Sequence, residues 1–251
     1  MLRPRISPIL LLTGSGCVKT KTFNYYKYLG DIINSVRIFN ELNVDELVVF
    51  DFDFHRNSDG KKVINFDLLL KVAREAEMPL CYGGGITNID QAKRLIQIGF
   101  EKISLCSAAF DTKLLSKIIK EIGAQSLVLH FDYKTNIFGS RKFFTEAGTL
   151  KEKSSLYDII EFVNKVKPGE VCFQSISNEG LKTGFDLDLV NKTKELLVCP
   201  VRFSGGCGSV DDIVAAFNIN PFASYSCSSI FVLKGRYDAV LLNYEKPNGW
   251  C

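Results

Sequence analysis

Short apolar runs alternate with amphipathic stretches along most of the chain. The runs have the length of buried strands, and the stretches between them repeat apolar residues at helical spacing, for example over Phe66–Glu77, Ile89–Ile98 and Leu156–Lys165. This alternation predicts parallel strands with helices packed outside them. The predicted strands are Ile6–Leu12, Glu46–Phe52, Leu80–Gly84, Lys102–Ser107, Ser126–Asp132, Val171–Ile176, Val201–Gly205 and Ala223–Ser228. Eight such units predict a closed (β/α)₈ barrel, the TIM barrel, rather than an open sheet.

The second half of the sequence repeats the first. Residues 79–110 align without gaps onto residues 200–231, at a constant offset of 121 that matches Pro79 to Pro200. Repetition over this length indicates duplication of an architectural unit. We therefore expect one domain over residues 1–251, built from half-barrels 1–122 and 123–251.

One sizeable insertion is expected, at about residues 133–154 after strand five. Within it, Phe138–Phe143 has the pattern of a hairpin around Gly-Ser. Such a hairpin would stand over the barrel mouth. It could act as a lid or docking surface, or it could be a solvated excursion.

The composition of the chain mainly excludes classes of function. The net charge of +3 favours neither nucleic acid nor an anionic membrane, and no apolar segment is long enough to span a bilayer. The basic and then apolar N-terminus is interpreted as a first strand rather than a signal peptide, because Pro8 interrupts it. The eight cysteines include no CxxC and no Cys/His cluster, so we expect reduced thiols in a cytoplasmic protein, with no metal site and no cofactor.

Glycine-rich turns follow two strands that the repeat relates to each other. Gly83–Gly85 and Ser204–Gly206 each end a strand and precede a helix, where backbone N–H groups can approach an anion. The next strands end in Cys106–Ala108 and Cys227–Ser229, which offer hydroxyls and amides on the same side. Barrels commonly bind phosphate at the loops after strands seven and eight. Two such sites on opposite rims predict an elongated ligand with two anionic groups.

Strand five ends in a carboxylate at the mouth of the predicted barrel. Its alternation places His130 and Asp132 on one side of the strand, with His130 one layer deeper. Asp132 is the candidate general acid or base, and His130 is either its helper or a core histidine. The repeat offset maps Asp132 onto Leu11, which lies in a wholly apolar run. Chemistry that needs an acid on one rim and a base on the other cannot use this symmetric pair.

Three further side chains are candidates for the mouth. Lys19 follows a glycine-rich loop after strand one, Asp51 ends strand two, and Glu179 lies with Gly180 in the loop after strand six. The alternative is a surface lysine and a helix-capping or salt-bridged aspartate.

Four charged residues stand at strand starts, which collect at the bottom of a barrel. They are Arg5, Glu46, Lys102 and Glu170, on strands one, two, four and six. Such charges are usually stability features. Two cations and two carboxylates could also form a closed ring of salt bridges around the barrel axis.

The motifs RISP, DELVVFDFD, YGGGI, SLCSAA, LVLHFD, SISNEGLKTGFD and SGGCG carry a resemblance to a known family. The sequence resembles the cyclase subunit of imidazole glycerol phosphate synthase, from histidine biosynthesis, over essentially its whole length. The resemblance implies a bis-phosphate substrate bound across the mouth. It also implies a glutaminase subunit docked at the bottom, whose ammonia crosses a gate of four charged residues and travels through the barrel.

Residue by residue, the implied gate is Arg5, Glu46, Lys102 and Glu170. The implied phosphate-binding residues are Gly84, Gly85, Ser107, Gly180, Ser204, Gly205, Gly206, Ser228 and Ser229. The family has two catalytic aspartates, at the ends of strands one and five. Asp132 corresponds to the second, whereas Leu11 stands in place of the first, and Glu179 replaces another family aspartate.

This combination resembles a divergent branch found in surface-polysaccharide gene clusters. Its members are thought to work with a glutaminase and a sugar amidotransferase to install acetamidino groups on sugars. Our first hypothesis is therefore an ammonia-routing barrel for acetamidino-sugar synthesis. The second is a histidine-pathway cyclase in which Asp132, helped by Lys19 or His130, covers the missing acid. The third is a catalytically silent scaffold for the glutaminase.

Overall fold

The computed structural model describes residues 3–51, 64–247 and 249–250. Eight parallel strands form its centre, and each pairs with the next along the chain. The eighth pairs back with the first, through Ile6 opposite Tyr225, so the sheet closes. The strands are β1 Ile6–Thr13, β2 Leu47–Asp51, β3 Leu80–Gly83, β4 Lys102–Leu105, β5 Leu127–Thr135, β6 Glu170–Ser175, β7 Val201–Ser204 and β8 Ser224–Cys227. The predicted TIM barrel is confirmed.

One helix follows each strand on the outside of the barrel. The helices are α1 Ile32–Glu41, α2 Phe66–Glu75, α3 Ile89–Gln97, α4 Thr112–Ile122, α5 Leu156–Val166, α6 Leu187–Lys194, α7 Val210–Ile219 and α8 Ser229–Val232. Polar side chains fix where they begin. Ser155 and Ser209, for example, each form a capping box with the aspartate three residues later. The apolar face of each long helix packs on the strands, as Ile32, Val36 and Phe39 of α1 do.

Strand boundaries differ from the predicted ones by one to three residues. Strands β3, β4, β6, β7 and β8 each end earlier than predicted. At β3 and β7 the reason is that Gly84 and Gly205 have φ of +129° and +90°, which turns the chain out of the sheet. The predicted end of strand two at Phe52 lies outside the described residues.

A second hairpin corrects the prediction of a single insertion. Gly16–Lys21 pairs antiparallel with β1 and with Tyr25–Asp31, before α1 begins. The prediction of a loop here was wrong because Lys19, Thr20 and Lys21 give the strand no apolar run. Gly16 lets the ring of Tyr28 lie where a Cβ would otherwise be.

The hairpin predicted after strand five is present. Strand β5 runs on to Thr135, and Arg141–Thr145 returns antiparallel to it, followed by Leu150–Lys151. The turn exposes Ile137 and Phe138, of which 92% and 86% are accessible. Its role as a lid stays a prediction, as does the duplication of the half-barrels.

The inside of the barrel is layered. Side chains of five strands form a small apolar layer across its middle, made of Ile9, Val48, Cys81, Val128 and Cys172. Charged groups lie below this layer, at the strand starts, and a cavity opens above it, at the strand ends. The main hydrophobic core is separate and lies between the strands and the helices.

Candidate functional site

A cavity of about 430 Å³ occupies the mouth of the barrel. Every residue predicted for the mouth lines it: Lys19, Asp51, Gly84, Gly85, Ser107, His130, Asp132, Glu179, Gly180, Ser204, Gly205, Gly206, Ser228 and Ser229. They come together because the carboxyl ends of parallel barrel strands meet at one face. Apolar side chains, including Leu11, Phe23 and Phe50, complete the wall.

Asp132 and His130 form a buried pair at the bottom of the cavity. His130 Nε2 lies 3.1 Å from Asp132 Oδ1, and the Cys106 thiol lies 3.6 Å from Asp132 Oδ2. Burial by itself lowers the pKa of His130, but the neighbouring Cys172 sulfur and the Asp132 carboxylate outweigh it and raise that pKa to about 10. An imidazole and a carboxyl group in hydrogen-bond contact can hold or pass a proton at the cavity floor.

The wall opposite Asp132 is hydrocarbon. Leu11 lies on β1 and Asp132 on β5, half a ring apart in the order of the barrel strands. Leu11 stands beside Phe50 of β2 in the sheet register. Of the other carboxylates in the lining, Asp51 accepts a hydrogen bond from Tyr82 at 3.3 Å, and Asp111 caps α4. The side-chain partner of Asp132 across the mouth is thus an aliphatic group.

Lys19 and Glu179 form a buried ion pair at the rim. Lys19 is only 4% exposed, so the alternative of a surface lysine is wrong. Its Nζ also donates to the Thr20 carbonyl at 2.6 Å, while the Phe23 amide approaches Glu179 Oε2 at 3.3 Å. The pair fastens the hairpin after β1 to the loop after β6. It therefore helps to shape the mouth.

The rim at β7 and β8 suits an anion. Gly205 and Gly206 have φ of +90° and +104°, a backbone conformation that favours glycine, and the carbonyl oxygens of Ser175 and Gly184 lie where their Cβ atoms would be. The hydroxyls of Ser226 and Ser228 are buried there and have no hydrogen-bond partner among the described residues. A buried hydroxyl without a partner indicates a group that a ligand could satisfy.

The rim at β3 and β4 is a poorer anion site. Gly84 and Gly85 also have positive φ, but Ser107 Oγ lies 3.4 Å from the Glu146 amide and can already accept its hydrogen bond. Asp111 lies in the same part of the lining and brings a carboxylate close to it. The two rims, which the repeat suggests are equivalent, therefore differ in their capacity for phosphate.

The four charges predicted for the bottom of the barrel meet there. Arg5 pairs with both Glu46 and Glu170, and so does Lys102, whose Nζ lies 3.0 Å and 3.3 Å from their carboxylates. Burial raises the pKa of Glu170, but the cations around it outweigh that effect and lower it to about 2. The predicted closed ring is present, and its cations favour the ionised form of Glu170.

A fifth charge, Arg202 of β7, joins this ring and was missed from the sequence. Its side chain is 2% exposed, and its Nη2 lies 2.5 Å from Oε2 of Glu46 and 2.5 Å from Oε2 of Glu170. The available signal was an arginine inside a four-residue apolar strand, VRFS. A buried arginine needs carboxylate partners, and the strand starts supply them.

Comparison with known proteins places this site in a family. The family model described as "Histidine biosynthesis protein" matches residues 5–232. The chain belongs to this histidine biosynthesis family. It is 41% identical to "Putative imidazole glycerol phosphate synthase subunit hisF3" of Vibrio vulnificus, over 99% of this chain and 95% of the relative. It is 39% identical to a protein of Leptospira borgpetersenii named "Putative imidazole glycerol phosphate synthase subunit HisF", over 99% of this chain and 97% of the relative.

A third relative, from Pseudomonas aeruginosa, bears the name "Putative imidazole glycerol phosphate synthase subunit hisF2" and is 37% identical over 99% of this chain and 98% of its own length. Family membership over nearly the full length agrees with the barrel and with the resemblance carried by the motifs. Within the described residues, no group of three or more histidine, cysteine or acidic side chains is arranged to hold a metal ion. No helix in the described parts of the chain is long and apolar enough to cross a membrane.

Proposed function

We propose that this chain is the synthase subunit of a glutamine-dependent pair. In this proposal a glutaminase docks at the bottom of the barrel and releases ammonia, which the barrel delivers to a phosphorylated or sugar substrate at its mouth. The observation that carries the proposal is the stacking of three layers along one barrel. A closed charged floor lies below the apolar middle layer, and the Asp132–His130 pair lies above it.

The three layers suit neutral ammonia. The middle layer of Ile9, Val48, Cys81, Val128 and Cys172 offers no charge that would retain an ion. The floor carries three cations against two carboxylates, so it disfavours the entry of ammonium. Ammonia that passes both layers reaches His130 and Asp132, where a proton can be given or taken as a carbon–nitrogen bond forms.

Two acceptor reactions are candidates. The names of the relatives favour imidazole glycerol phosphate formation in histidine biosynthesis. Leu11 favours the other, the supply of ammonia to a sugar amidotransferase for acetamidino-sugar synthesis. Where the family's ring closure uses a second carboxylate, this mouth has a hydrocarbon wall, and the loss of a general acid or base typically slows such a step by about 10² to 10⁴.

Turnover of the histidine-pathway bis-phosphate with ammonium salt distinguishes the two candidate acceptor reactions. We expect the wild-type chain to be at least about a hundredfold slower than a cyclase with both aspartates. Leu11→Asp should recover part of the rate, and Leu11→Asn, similar in size but uncharged, is the matched control. Brisk wild-type turnover would establish the histidine reaction instead.

The association of this chain with a glutaminase is tested with a glutaminase subunit from the same genome. The barrel should form a complex with it and raise its glutamine hydrolysis. A complex whose glutamine hydrolysis is unchanged would point to the silent scaffold. Failure of any glutaminase to bind would refute the proposal.

A further inference from the structure

Arg202 occupies a special place in the floor. Glu46 precedes β2 and Glu170 begins β6, so the two carboxylates come from strands half a ring apart. A single nitrogen of Arg202 lies 2.5 Å from both of them. An atom that contacts opposite walls of the barrel at once must lie close to the axis. The guanidinium therefore stands in the middle of the floor rather than on its rim.

The floor has an outer and an inner part. The side chains of Arg5 and Lys102 are 33% and 20% exposed, so both face the solvent below the barrel. Arg202 is 2% exposed and belongs to the strand position paired with Cys172 of the apolar layer. Its side chain extends from that layer to the carboxylates of Glu46 and Glu170. Arg202 thus lies between the outer ring and the passage above it.

The charge balance of the floor makes Lys102 dispensable. If Lys102 swings away, Glu46 and Glu170 each keep Arg5 and Arg202 as partners. Two cations then face two carboxylates, and no buried charge is left alone. Opening the outer ring is therefore inexpensive, but it leaves the guanidinium of Arg202 on the axis.

We propose that Arg202 is the plug of the barrel floor. Held between Glu46 and Glu170, its guanidinium closes the passage to the apolar layer and must move before a small molecule can cross. The proposal rests on the proposed function only for the identity of that molecule, ammonia. The closure itself is a property of the free chain and is measured there.

Two cysteines report directly on the plug. Cys81 and Cys172 belong to the layer just above Arg202 and are 0% and 2% exposed. We choose methyl methanethiosulfonate, a small neutral thiol reagent, and follow labelling of each cysteine by peptide mass spectrometry on the folded chain. Cys17, which is equally buried but lies in the outer core, is the internal control for unfolding.

Arg202→Ala should speed labelling of Cys81 and Cys172 at least about tenfold while Cys17 stays as slow as in the wild type. Arg202→Met, which fills more of the space and leaves the floor neutral, should retain the fold and speed labelling at least about threefold. Lys102→Ala is the matched control and should change the rate less than about twofold. The Arg202 charge lowers the pKa of the Cys81 thiol, so its loss alone would slow labelling, and any acceleration reports access.

Two results would overturn the plug. One is unchanged labelling in both Arg202 variants with native protection of Cys17. The other is acceleration by Lys102→Ala equal to that of Arg202→Ala, since the outer ring would then be the closure. If all three cysteines of Arg202→Ala become labelled, this variant has unfolded. The labelling rates of Arg202→Met and Lys102→Ala then decide whether Arg202 closes the floor.

The assembled pair separates this inference from the proposed function. In it, the ratio of glutamine-driven to ammonium-driven turnover of the bis-phosphate should change in Arg202→Met and stay near the wild-type value in Lys93→Ala, which alters an exposed lysine of α3 outside the floor. Faster labelling with an unchanged ratio would keep the plug and refute the ammonia route.

Discussion

Replacing Glu170 by glutamine tests the electrostatics of the floor. In the wild type, the Glu170 carboxylate is 1% exposed and contacts Arg5, Lys102 and Arg202, while Ser224 donates to it at 2.8 Å. Glu170→Gln removes one of two carboxylates and leaves Glu46 alone among three buried or half-buried cations. Breaking a buried ion pair on one side typically costs about 3–5 kcal/mol, so we expect a loss of that order at pH 7.

The loss should depend on pH in a defined direction. The surrounding cations lower the pKa of Glu170 from 4.5 to about 2, a change that corresponds to about 3 kcal/mol of folding free energy. A lowered pKa stabilises the folded state above the unfolded-state value, and this contribution fades as the pH falls from about 4.5 towards 2. Glu170→Gln lacks the titrating group, so its stability should fall less steeply over that window. The difference from wild type should shrink by about 1.4 kcal/mol per pH unit.

The assay is the free energy of unfolding from denaturant titrations between pH 7 and pH 3, followed by both circular dichroism and tryptophan fluorescence to check that unfolding is two-state. Glu195→Gln, at an exposed carboxylate, is the control and should track the wild type at every pH. A difference between wild type and Glu170→Gln that stays constant from pH 5 to pH 3 would refute the reasoning, because Glu170 would then not be the group that titrates.

Three further changes probe the mouth. Asp132→Asn should lower ammonium-driven turnover by about 10² to 10⁴ with an unchanged circular dichroism spectrum, and a loss below threefold would remove Asp132 from the chemistry. Lys19→Met should lower the free energy of unfolding by about 3 kcal/mol, because it leaves the Glu179 carboxylate buried without its cation, and Lys19→Met with Glu179→Gln should recover at least half of it. Gly206→Ala should lower the melting temperature, because φ is +104° and the new Cβ would clash with the Gly184 carbonyl. Gly139→Ala is the control: its φ is +75° but the space around it is open, so it should lose only about 1 kcal/mol of stability to backbone strain.

The barrel and its mouth were predictable because they depend on local patterns. Apolar runs of strand length alternate with helical stretches, and strand order in a barrel places every strand end at one face. Asp132, Lys19 and Glu179 could therefore be assigned to one cavity before any coordinates. The pairing of side chains within the cavity could not be predicted. The ion pair of Lys19 with Glu179, for example, depends on how the hairpin after β1 folds back over the mouth.

That hairpin shows where hydrophobic periodicity fails to predict a strand. Lys19, Thr20 and Lys21 are polar, yet Lys19 and Thr20 are buried against the loop after β6. Lys19 is stabilised there by its ion pair with Glu179 and by its hydrogen bond to the Thr20 carbonyl, whereas the Thr20 hydroxyl is buried without a hydrogen-bond partner among the described residues. A strand of this kind has no signature in the hydrophobic pattern, since its partners come from distant parts of the chain.

Arg202 and Leu11 together change how the barrel should be understood. Each departs from what its position suggests: Arg202 is a charge inside an apolar strand, and Leu11 is a hydrocarbon on the strand opposite that of Asp132. The floor has its four paired charges and adds a central cation, Arg202, to which the proposed ammonia route gives a role as the closure. The mouth keeps one carboxylate with its histidine and an anion-suited rim at Ser226 and Ser228. Under the proposed function, Arg202 at the floor and Leu11 at the mouth favour delivery of ammonia over ring closure by this chain alone, whereas the names of the relatives favour the histidine reaction. This is why the acceptor reaction, rather than the ammonia route, is where the two candidate functions divide.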